Sequence, residues 1–370
     1  MHNRRMRGFL VFVLLVTTVA SSDAKPLPTG LEVKLAKGTL SARRDGVSVS
    51  IGSVTKMISV ELSADGKTIV VKRPGDPDQG EEDTVDETFA LATVEGKLAN
   101  AKGMSFQVKK KYADAVAPFT AAVQSDPQPV YITNLLSALA MGKKLDDADK
   151  VVATYGKRIA PWLAWRLAVD KELAALADRP STKALFPGGG KATSKLADGE
   201  KVAYSAAGFA AVEVYTGISM GMPSEVTKAL AIVELTTGTE VLRLSTETSC
   251  SEMDEGGCKQ AKYAASNKKQ RKVADAVLSQ MGFELSAEPL LDAQATGTPT
   301  AKDGRKIVEI KDGGTAIAVG KKQIPIPSEL EVKSIAFVPK AVVLLHKVQT
   351  SSNIDGAGTW EMEVTAIPTP

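Results

Sequence analysis

The sequence predicts an α+β protein with a small N-terminal antiparallel β module, a central region of helical hairpins, and a C-terminal antiparallel β module that contains one helix. Two patterns predict this architecture. Alternating apolar residues in short runs, typical of half-buried strands, occur before residue 74 and again after residue 200. Between them the apolar residues recur at helical spacing. We predict a signal peptide, three domains and a flexible linker, with bounds 1–24, 30–92, 95–186, 187–199 (the linker) and 200–370.

The first 24 residues have the composition of a secretory signal peptide. Three arginines precede an apolar run of about 13 residues, shorter than the ~20 that a membrane-spanning helix needs. No cysteine follows the run to accept a lipid. We therefore expect cleavage near Ala20, Ser22 or Ala24, no transmembrane segment in the mature chain, and a periplasmic or secreted protein.

The charge balance argues against a nucleic-acid partner. The whole chain has 46 basic and 43 acidic residues, and the predicted signal peptide accounts for the excess because it carries three arginines. A mature chain without net charge has no overall field that attracts a polyanion. The acidic stretch 76–87 is predicted to be a solvated loop, although its carboxylates leave a cation site open as the alternative.

The central region contains a small-aromatic-small pattern that suits close helix packing. Ala115, Phe119 and Ala122 share one helix face, and Gly103 and Phe106 have the matching spacing upstream. These residues resemble a tetratricopeptide repeat, in which such positions lock two antiparallel helices.

A shift of 33 residues, within the usual length of such repeats, gives a second, degenerate copy. It carries Ala115 onto Ala148, whereas Tyr155 replaces the second alanine. Because proline disrupts a helix interior, we expect the second helix of the first copy to begin at Asp114, with Pro118 in its first turn. The segment 170–185 resembles the closing helix of such arrays.

The resemblance also implies a binding face. In tetratricopeptide proteins the first helix of each pair lines the inner, partner-binding face. In this chain that face comprises Asn100, Met104, Gln107, Thr133, Ser137 and Met141. These residues lack the paired basic side chains with which the family grips a terminal carboxylate. In the alternative, two repeats are too few to stand alone and the hairpins are structural, packed between the β modules.

The C-terminal part repeats an order of strand, strand, loop and strand, which suggests two propeller-blade-like sheets facing each other. This order faintly resembles a family of predicted bacterial secreted proteins without an assigned function. A helix is predicted from Lys259 to Met281. Its basic run 268–272 is interpreted as a solvated face, with contact to an anionic polymer as the alternative. Cys250 and Cys258, close together in an exported chain, predict a disulfide.

The sequence contains no recognised catalytic or cofactor motif. The glycine-rich run 187–190 is followed by Lys191 and Ala192, so it does not fit a phosphate-binding loop. Of the two histidines, His2 lies in the signal peptide, and His346 lies in an apolar strand that favours a structural role over a general base. We expect no cofactor, no metal site and no enzymatic activity.

Three functions remain. The first, which we favour, is an exported scaffold or interaction protein of the bacterial cell envelope that binds another envelope protein or peptide through the hairpins. The second is a β module that binds envelope glycan or protein through the loops 217–227 or 350–359, beside Trp360. The third is a hydrolase of unrecognised type, which requires a pocket with titratable groups of shifted pKa.

Overall fold

A computed structural model gives the fold, and it confirms the predicted α+β class, with antiparallel sheets before and after the central helices in chain order. The structure describes residues 25–76, 78, 80–81, 83–194, 196, 201–216, 218–219, 225–250, 261–293, 299–309, 314–352 and 358–370. The chain divides into two compact units, one ending at Lys143 and the other beginning at Lys144. Each is described by itself.

The first unit contains two three-stranded antiparallel sheets with strand orders β1-β2-β3 and β4-β5-β6. The strands are β1 (Glu32–Ala36), β2 (Thr39–Arg44), β3 (Val47–Ser53), β4 (Ser59–Leu62), β5 (Thr68–Pro74) and β6 (Thr84–Ala90). Two-residue turns join the first three strands. Asp45 and Gly46 in the second turn have φ angles of 51° and 78°, as a tight hairpin turn requires.

Three helices follow in the first unit: α1 (Leu91–Val108), α2 (Tyr112–Ser125) and α3 (Pro129–Met141). Val94 and Leu98 of α1 join the buried core of both sheets, so this helix covers both sheets. The first two helices pack antiparallel, because Gly103 lies against Phe119 whereas the earlier Gly96 lies against the later Ala122. The predicted first hairpin is therefore present.

The start of α2 differs from the prediction. The helix begins at Tyr112, not Asp114, and Pro118 lies in its interior. Pro118 has no N–H to donate to the carbonyl of Asp114, and the helix nevertheless continues to Ser125. Packing explains this outcome, because Ala115, Phe119 and Ala122 are fully buried against neighbouring helices and hold both turns in place.

The second unit begins with helices. They are α4 (Leu145–Val169), a 3-10 helix (Lys171–Leu176), α5 (Pro180–Leu185) and, further along, α6 (Ala261–Gln280). The 3-10 helix and α5 pack on α4, and Leu173 and Leu176 are fully buried there. The predicted second hairpin is divided between the units, since α3 belongs to the first and α4 to the second.

Three antiparallel sheets complete the second unit, with strand orders β11-β10-β8-β7-β12, β13-β17-β18-β19-β9 and β14-β15-β16. The strands are β7 (Lys201–Ser205), β8 (Phe209–Thr216), β9 (Ile218–Ser219), β10 (Glu225–Glu234), β11 (Glu240–Cys250), β12 (Phe283–Pro289), β13 (Leu291–Asp292), β14 (Lys306–Glu309), β15 (Thr315–Val319), β16 (Lys322–Pro325), β17 (Glu331–Val338), β18 (Ala341–Ser352) and β19 (Gly358–Pro368).

The second unit is layered. The two five-stranded sheets face each other as predicted. Val212 and Ala231 of sheet β11-β10-β8-β7-β12 (the first sheet of this unit) meet Val343 and Val364 of sheet β13-β17-β18-β19-β9 (its second sheet) in a core between them. Sheet β14-β15-β16 covers the other face of the second sheet through a separate apolar core. The helices α4 and α6 pack on each other, and both contact β11. They thereby frame one edge of the first sheet.

The predicted flexible linker is bonded to the second unit. The backbone N–H groups of Gly188 and Gly190 donate to carbonyls at the end of α6, at 3.0 Å each, and Ala192 donates to Phe283 at 3.0 Å. A Cβ on Gly190 would lie 2.5 Å from the backbone nitrogen of Phe283. This glycine thus allows the close approach of two backbones, and the compact units divide near residue 143 rather than at 187–199.

Candidate functional site: a tryptophan groove in the second unit

A groove of about 520 Å³ lies where α4, β11 and α6 meet in the second unit. Helix α4 contributes two tryptophans, the strand contributes its central residues, and α6 contributes one side. The groove is lined by Trp162, Trp165, Val169, Leu242, Arg243, Leu244, Ser245, Ser266, Lys269, Gln270 and Val273. We call it the tryptophan groove.

The two tryptophans form a fixed wall. Trp162 and Trp165 are three residues apart on α4, so they share one helix face. Their ring centroids are 5.6 Å apart, and the rings are nearly perpendicular at 81°. The Trp162 indole N–H donates to the carbonyl oxygen of Val241 on β11 at 2.7 Å. This bond holds the ring in one orientation and directs its apolar surface to the groove.

The floor of the groove is apolar. Leu242 and Leu244 of β11 are 6% and 8% exposed, and Val169 at the end of α4 is 40% exposed. Together with the tryptophan rings, these side chains form an apolar surface that a ligand could cover. Aromatic and aliphatic surface beside a few polar groups is the usual composition of a binding site.

Arg243 is a polar group in the groove that is already neutralised. Its guanidinium donates two bonds to the Glu240 carboxylate at 2.7 and 2.6 Å, and a third to Glu361 at 3.4 Å. The hydrogen bonds that the Glu240 carboxylate accepts raise the pKa of Arg243 above its usual value. Arg243 is consequently held in position, and its charge is balanced within the protein.

The α6 side of the groove is positively charged. This helix carries five basic residues and one acidic residue. Arg271 is paired with Glu247, but Lys268, Lys269 and Lys272 form no ion pair with any other described residue. Lys269 lines the groove itself. An apolar floor beside unpaired positive charge suits a partner that is apolar in part and acidic in part.

Gln270 adds an unsatisfied acceptor. Its side-chain Oε1 is buried and has no hydrogen-bond partner among the described residues. A buried acceptor without a partner costs free energy, roughly 1–3 kcal/mol. A donor from a bound molecule could remove this cost.

No protein-family model, no curated protein and no solved structure matches this chain.

The sequence-predicted binding face on the helical hairpins does not form one open surface. Met104 is 38% exposed, and Asn100, Gln107 and Met141 are partly buried. Thr133 and Ser137 are 1% and 0% exposed, so these two are not available to a partner. Every residue from Tyr131 to Leu139 is buried, because α3 is apolar around most of its circumference.

Asn100 also has an internal partner. Its Oδ1 accepts a hydrogen bond from Asn134 Nδ2 of α3 at 2.9 Å, which ties α1 to α3. Thr133 Oγ1 is bonded to the carbonyl of Val130 at 3.1 Å, a local helix contact. These contacts are structural. A partner-binding role for Asn100, Met104, Gln107 and Met141 stays a prediction.

The predicted acidic loop 76–87 ends earlier than expected, because Thr84–Ala90 form strand β6, and Arg73 bonds to a carboxylate in each part. The Arg73 guanidinium donates to both carboxylate oxygens of Glu81, at 2.7 and 2.9 Å, and to Glu87 at 2.9 Å. The bonds from Arg73 lower the pKa of Glu81 to about 2. Among the described residues, no group of three or more His, Cys, Asp and Glu side chains is arranged to hold a metal ion.

His346 lies in β18 and is 3% exposed. Its Nε2 is 3.0 Å from Thr365 Oγ1, and its Nδ1 is buried without a partner among the described residues. Burial lowers the pKa of His346, although the nearby Glu363 opposes the shift. It does not line the tryptophan groove, which agrees with a structural role.

Some predicted features lie outside the described residues. These are the signal peptide, Cys258 and the side chain of Cys250, the side chain of Trp360, and most of the loops 217–227 and 350–359. Within the described part of the chain, no helix combines the length and apolar character needed to cross a membrane.

Sequence reasoning missed the tryptophan groove. The available signal was the spacing of Trp162 and Trp165, two of the three tryptophans in the chain, on one face of a helix. The other walls come from β11 and α6, about 80 and 100 residues further along. The sequence alone gave no reason to place those segments beside α4.

Proposed function

We propose that this chain is an exported, non-catalytic interaction protein of the bacterial cell envelope that binds another protein through the tryptophan groove. The single observation that carries the proposal is the fixed pair Trp162 and Trp165 above the apolar floor of β11. Tryptophan is enriched among the residues that dominate protein interfaces, and clustered aromatics in a groove are typical anchor sites.

The proposal moves the binding surface away from the hairpin face. The burial of Thr133 and Ser137 argues against that face, whereas Trp165 and Val169 remain accessible in the second unit. Export is supported by the arginines and the apolar run at the N terminus. A scaffold role without chemistry is supported by the internal bonding of Arg243 and by the structural setting of His346.

Site-specific crosslinking in cells tests this proposal. A photo-reactive amino acid replaces Ser266, an exposed residue of the groove, and in a matched control it replaces Lys157, an exposed residue of α4 outside the groove. We expect a crosslinked protein from position 266 alone, and its loss when Trp165→Ala is added. Identical products from both positions, or no effect of Trp165→Ala in a folded variant, would overturn the proposal.

A further inference from the structure

The strand β11 is the edge of its sheet, and two side chains cap parts of that edge. An edge strand leaves a row of backbone N–H and C=O groups without partners. The indole of Trp162 bonds the carbonyl of Val241 at 2.7 Å. Further along, the side-chain amide of Asn267 accepts from the Thr248 N–H at 3.0 Å and donates to the Thr248 carbonyl at 2.9 Å. The two capped residues, Val241 and Thr248, lie on either side of the groove-lining residues 242–245 of β11.

The hydrogen bonds of Thr248 to Asn267 show in which direction the backbone groups of nearby residues on β10 and β11 point. In an antiparallel ladder, successive residues of a strand direct their backbone groups alternately to the strands on either side. Thr248 lies opposite Thr227 of β10, and both of its backbone groups point outward to Asn267. Thr227 therefore directs its own backbone groups away from β11, toward β8.

Ala229 and Ala231 lie two and four residues after Thr227 on β10, so they also direct their backbone groups toward β8. The pairing of β10 with β8 is regular over this stretch, so the alternation holds. Opposite these residues on β11 lie Ser245 and Arg243. The β-bulge at Thr246 adds a residue to β11 only, so it does not change the alternation along β10. The backbone groups of Arg243 and Ser245 are thus turned outward, away from the sheet.

These outward groups lie in the tryptophan groove. Arg243 and Ser245 line it, and no described side chain caps their backbone as Trp162 and Asn267 cap the residues on either side. Two N–H and two C=O groups between the caps consequently have no partner among the described residues. Lys269 stands beside them on α6 and has no ion-pair partner among the described residues.

We propose that the groove takes its partner as an added β-strand: an extended segment of another protein that carries apolar and acidic residues and pairs with the backbone of β11 at Arg243 and Ser245. This inference rests on the proposed function and specifies its partner. In strand addition the main-chain bonds supply affinity and alternate side chains supply specificity. The side chains of the added strand that face α4 and α6 meet the tryptophans, the apolar floor and Lys269, which all line the groove.

A peptide library displayed on phage tests the sequence preference of the mature protein. We expect enrichment of peptides that contain both apolar and acidic residues. A synthetic copy of the most enriched peptide is expected to bind Lys269→Glu roughly tenfold more weakly, whereas Lys157→Glu binds as wild type does. Replacing the acidic residues of the peptide by lysine is expected to restore binding to Lys269→Glu.

Backbone methylation of the same peptide tests the strand geometry. Since only every second N–H of an added strand faces its neighbour, N-methylation at one alternate set of positions is expected to weaken binding tenfold or more. Methylation at the other set leaves binding within about twofold. Equal sensitivity at both sets, or at neither, overturns the strand mode.

The outcomes separate the two proposals. If peptide binding requires Trp165 but tolerates N-methylation at every position, the groove is a binding site and the added-strand mode is wrong. Enrichment of basic peptides, or self-association of the protein through this edge, contradicts the acidic segment. Enrichment of no peptide that depends on Trp165 counts against both the strand mode and the proposed function.

Discussion

Gly103 of α1 lies directly against the ring of Phe119 of α2. A Cβ atom at Gly103 would come within 2.5 Å of both Cδ1 and Cε1 of that ring, and Phe119 is fully buried. Because Phe119 is buried, a shift of its ring would displace the side chains packed around it. This contact fixes how closely the two helices of the first hairpin approach each other.

Gly103→Ala is therefore expected to destabilise the first unit. The added methyl group must displace a buried ring, which costs about 1–3 kcal/mol in a packed core and outweighs the better helix propensity of alanine. Hydrogen exchange measured by mass spectrometry on peptides from α1 and α2 gives the local effect. Ser105→Ala, at an exposed site on the same helix, is the control and should change stability by under about 0.5 kcal/mol.

A compensating change sharpens this prediction. Phe119→Leu alone leaves a cavity and destabilises the hairpin, but it also removes the ring atoms that meet residue 103. Combined with Gly103→Ala, it should cost less than the sum of the two single changes. Additive effects would show that the contact does not limit helix approach.

Asn267→Ala is expected to destabilise the second unit by roughly 1–3 kcal/mol, because both backbone groups of Thr248 lose their partner. Urea unfolding followed by tryptophan fluorescence reports this unit, since all three tryptophans follow residue 144. Asn267→Asp keeps the acceptor but places an oxygen against the Thr248 carbonyl, so it should not restore stability. An unchanged midpoint for Asn267→Ala would contradict the capping role.

Stability of the second unit should fall in mild acid because of His346. Burial lowers the pKa of His346 in the folded state below its ordinary value of 6.5, so the unfolded state binds the proton more readily. The free energy of unfolding is therefore not reduced by His346 above pH 6.5, and it falls as the pH drops below that value. His346→Leu should reduce the drop in urea midpoint between pH 7.5 and pH 5. An equal drop in both proteins would exclude His346 as the cause.

The Glu81 carboxyl should titrate at about pH 2, because Arg73 holds its charged form. Because the folded-state pKa of Glu81 is lowered, its ionised carboxylate stabilises the folded state above the ordinary pKa of 4.5. This stabilisation is lost as the pH falls toward 2. Carbon-detected NMR measures the titration directly. In Arg73→Gln the pKa of Glu81 is expected to return toward 4.5, and in the exposed control Arg43→Gln it should stay near 2.

Local patterns predicted much of the fold. The runs containing Ile232 and Leu242 alternate or are continuously apolar between turn residues, and they form β10 and β11. Ala115 and Phe119 similarly mark a helix face, and both are fully buried in the first hairpin. Such patterns depend only on neighbouring residues, so they are visible in the sequence.

Features that depend on distant contacts were not predictable in this way. Pro118 suggested a later start for α2, but burial of Phe119 holds the helix through the proline. The glycine-rich segment suggested a flexible linker, yet Gly188 and Gly190 bond to the end of α6, about 90 residues away. In both cases tertiary contacts outweigh a local preference.

The candidate site illustrates the same limit. Trp162 is bonded to Val241, and Asn267 to Thr248, across separations that no local pattern encodes. By contrast, the hairpin face was proposed from a family resemblance that says nothing about how this chain buries Thr133 and Ser137. Sequence reasoning can therefore suggest a helix face, but not whether another part of the chain already occupies it.

The tryptophan pair gives the protein a built-in optical signal. Because Trp162 and Trp165 stand in contact at the groove and only one further tryptophan exists in the chain, most of the indole emission originates where a bound molecule would exclude solvent. Occupancy of the groove should therefore shift the emission spectrum to shorter wavelength without any attached dye. A screen for natural partners could be run on the unlabelled protein in its native form.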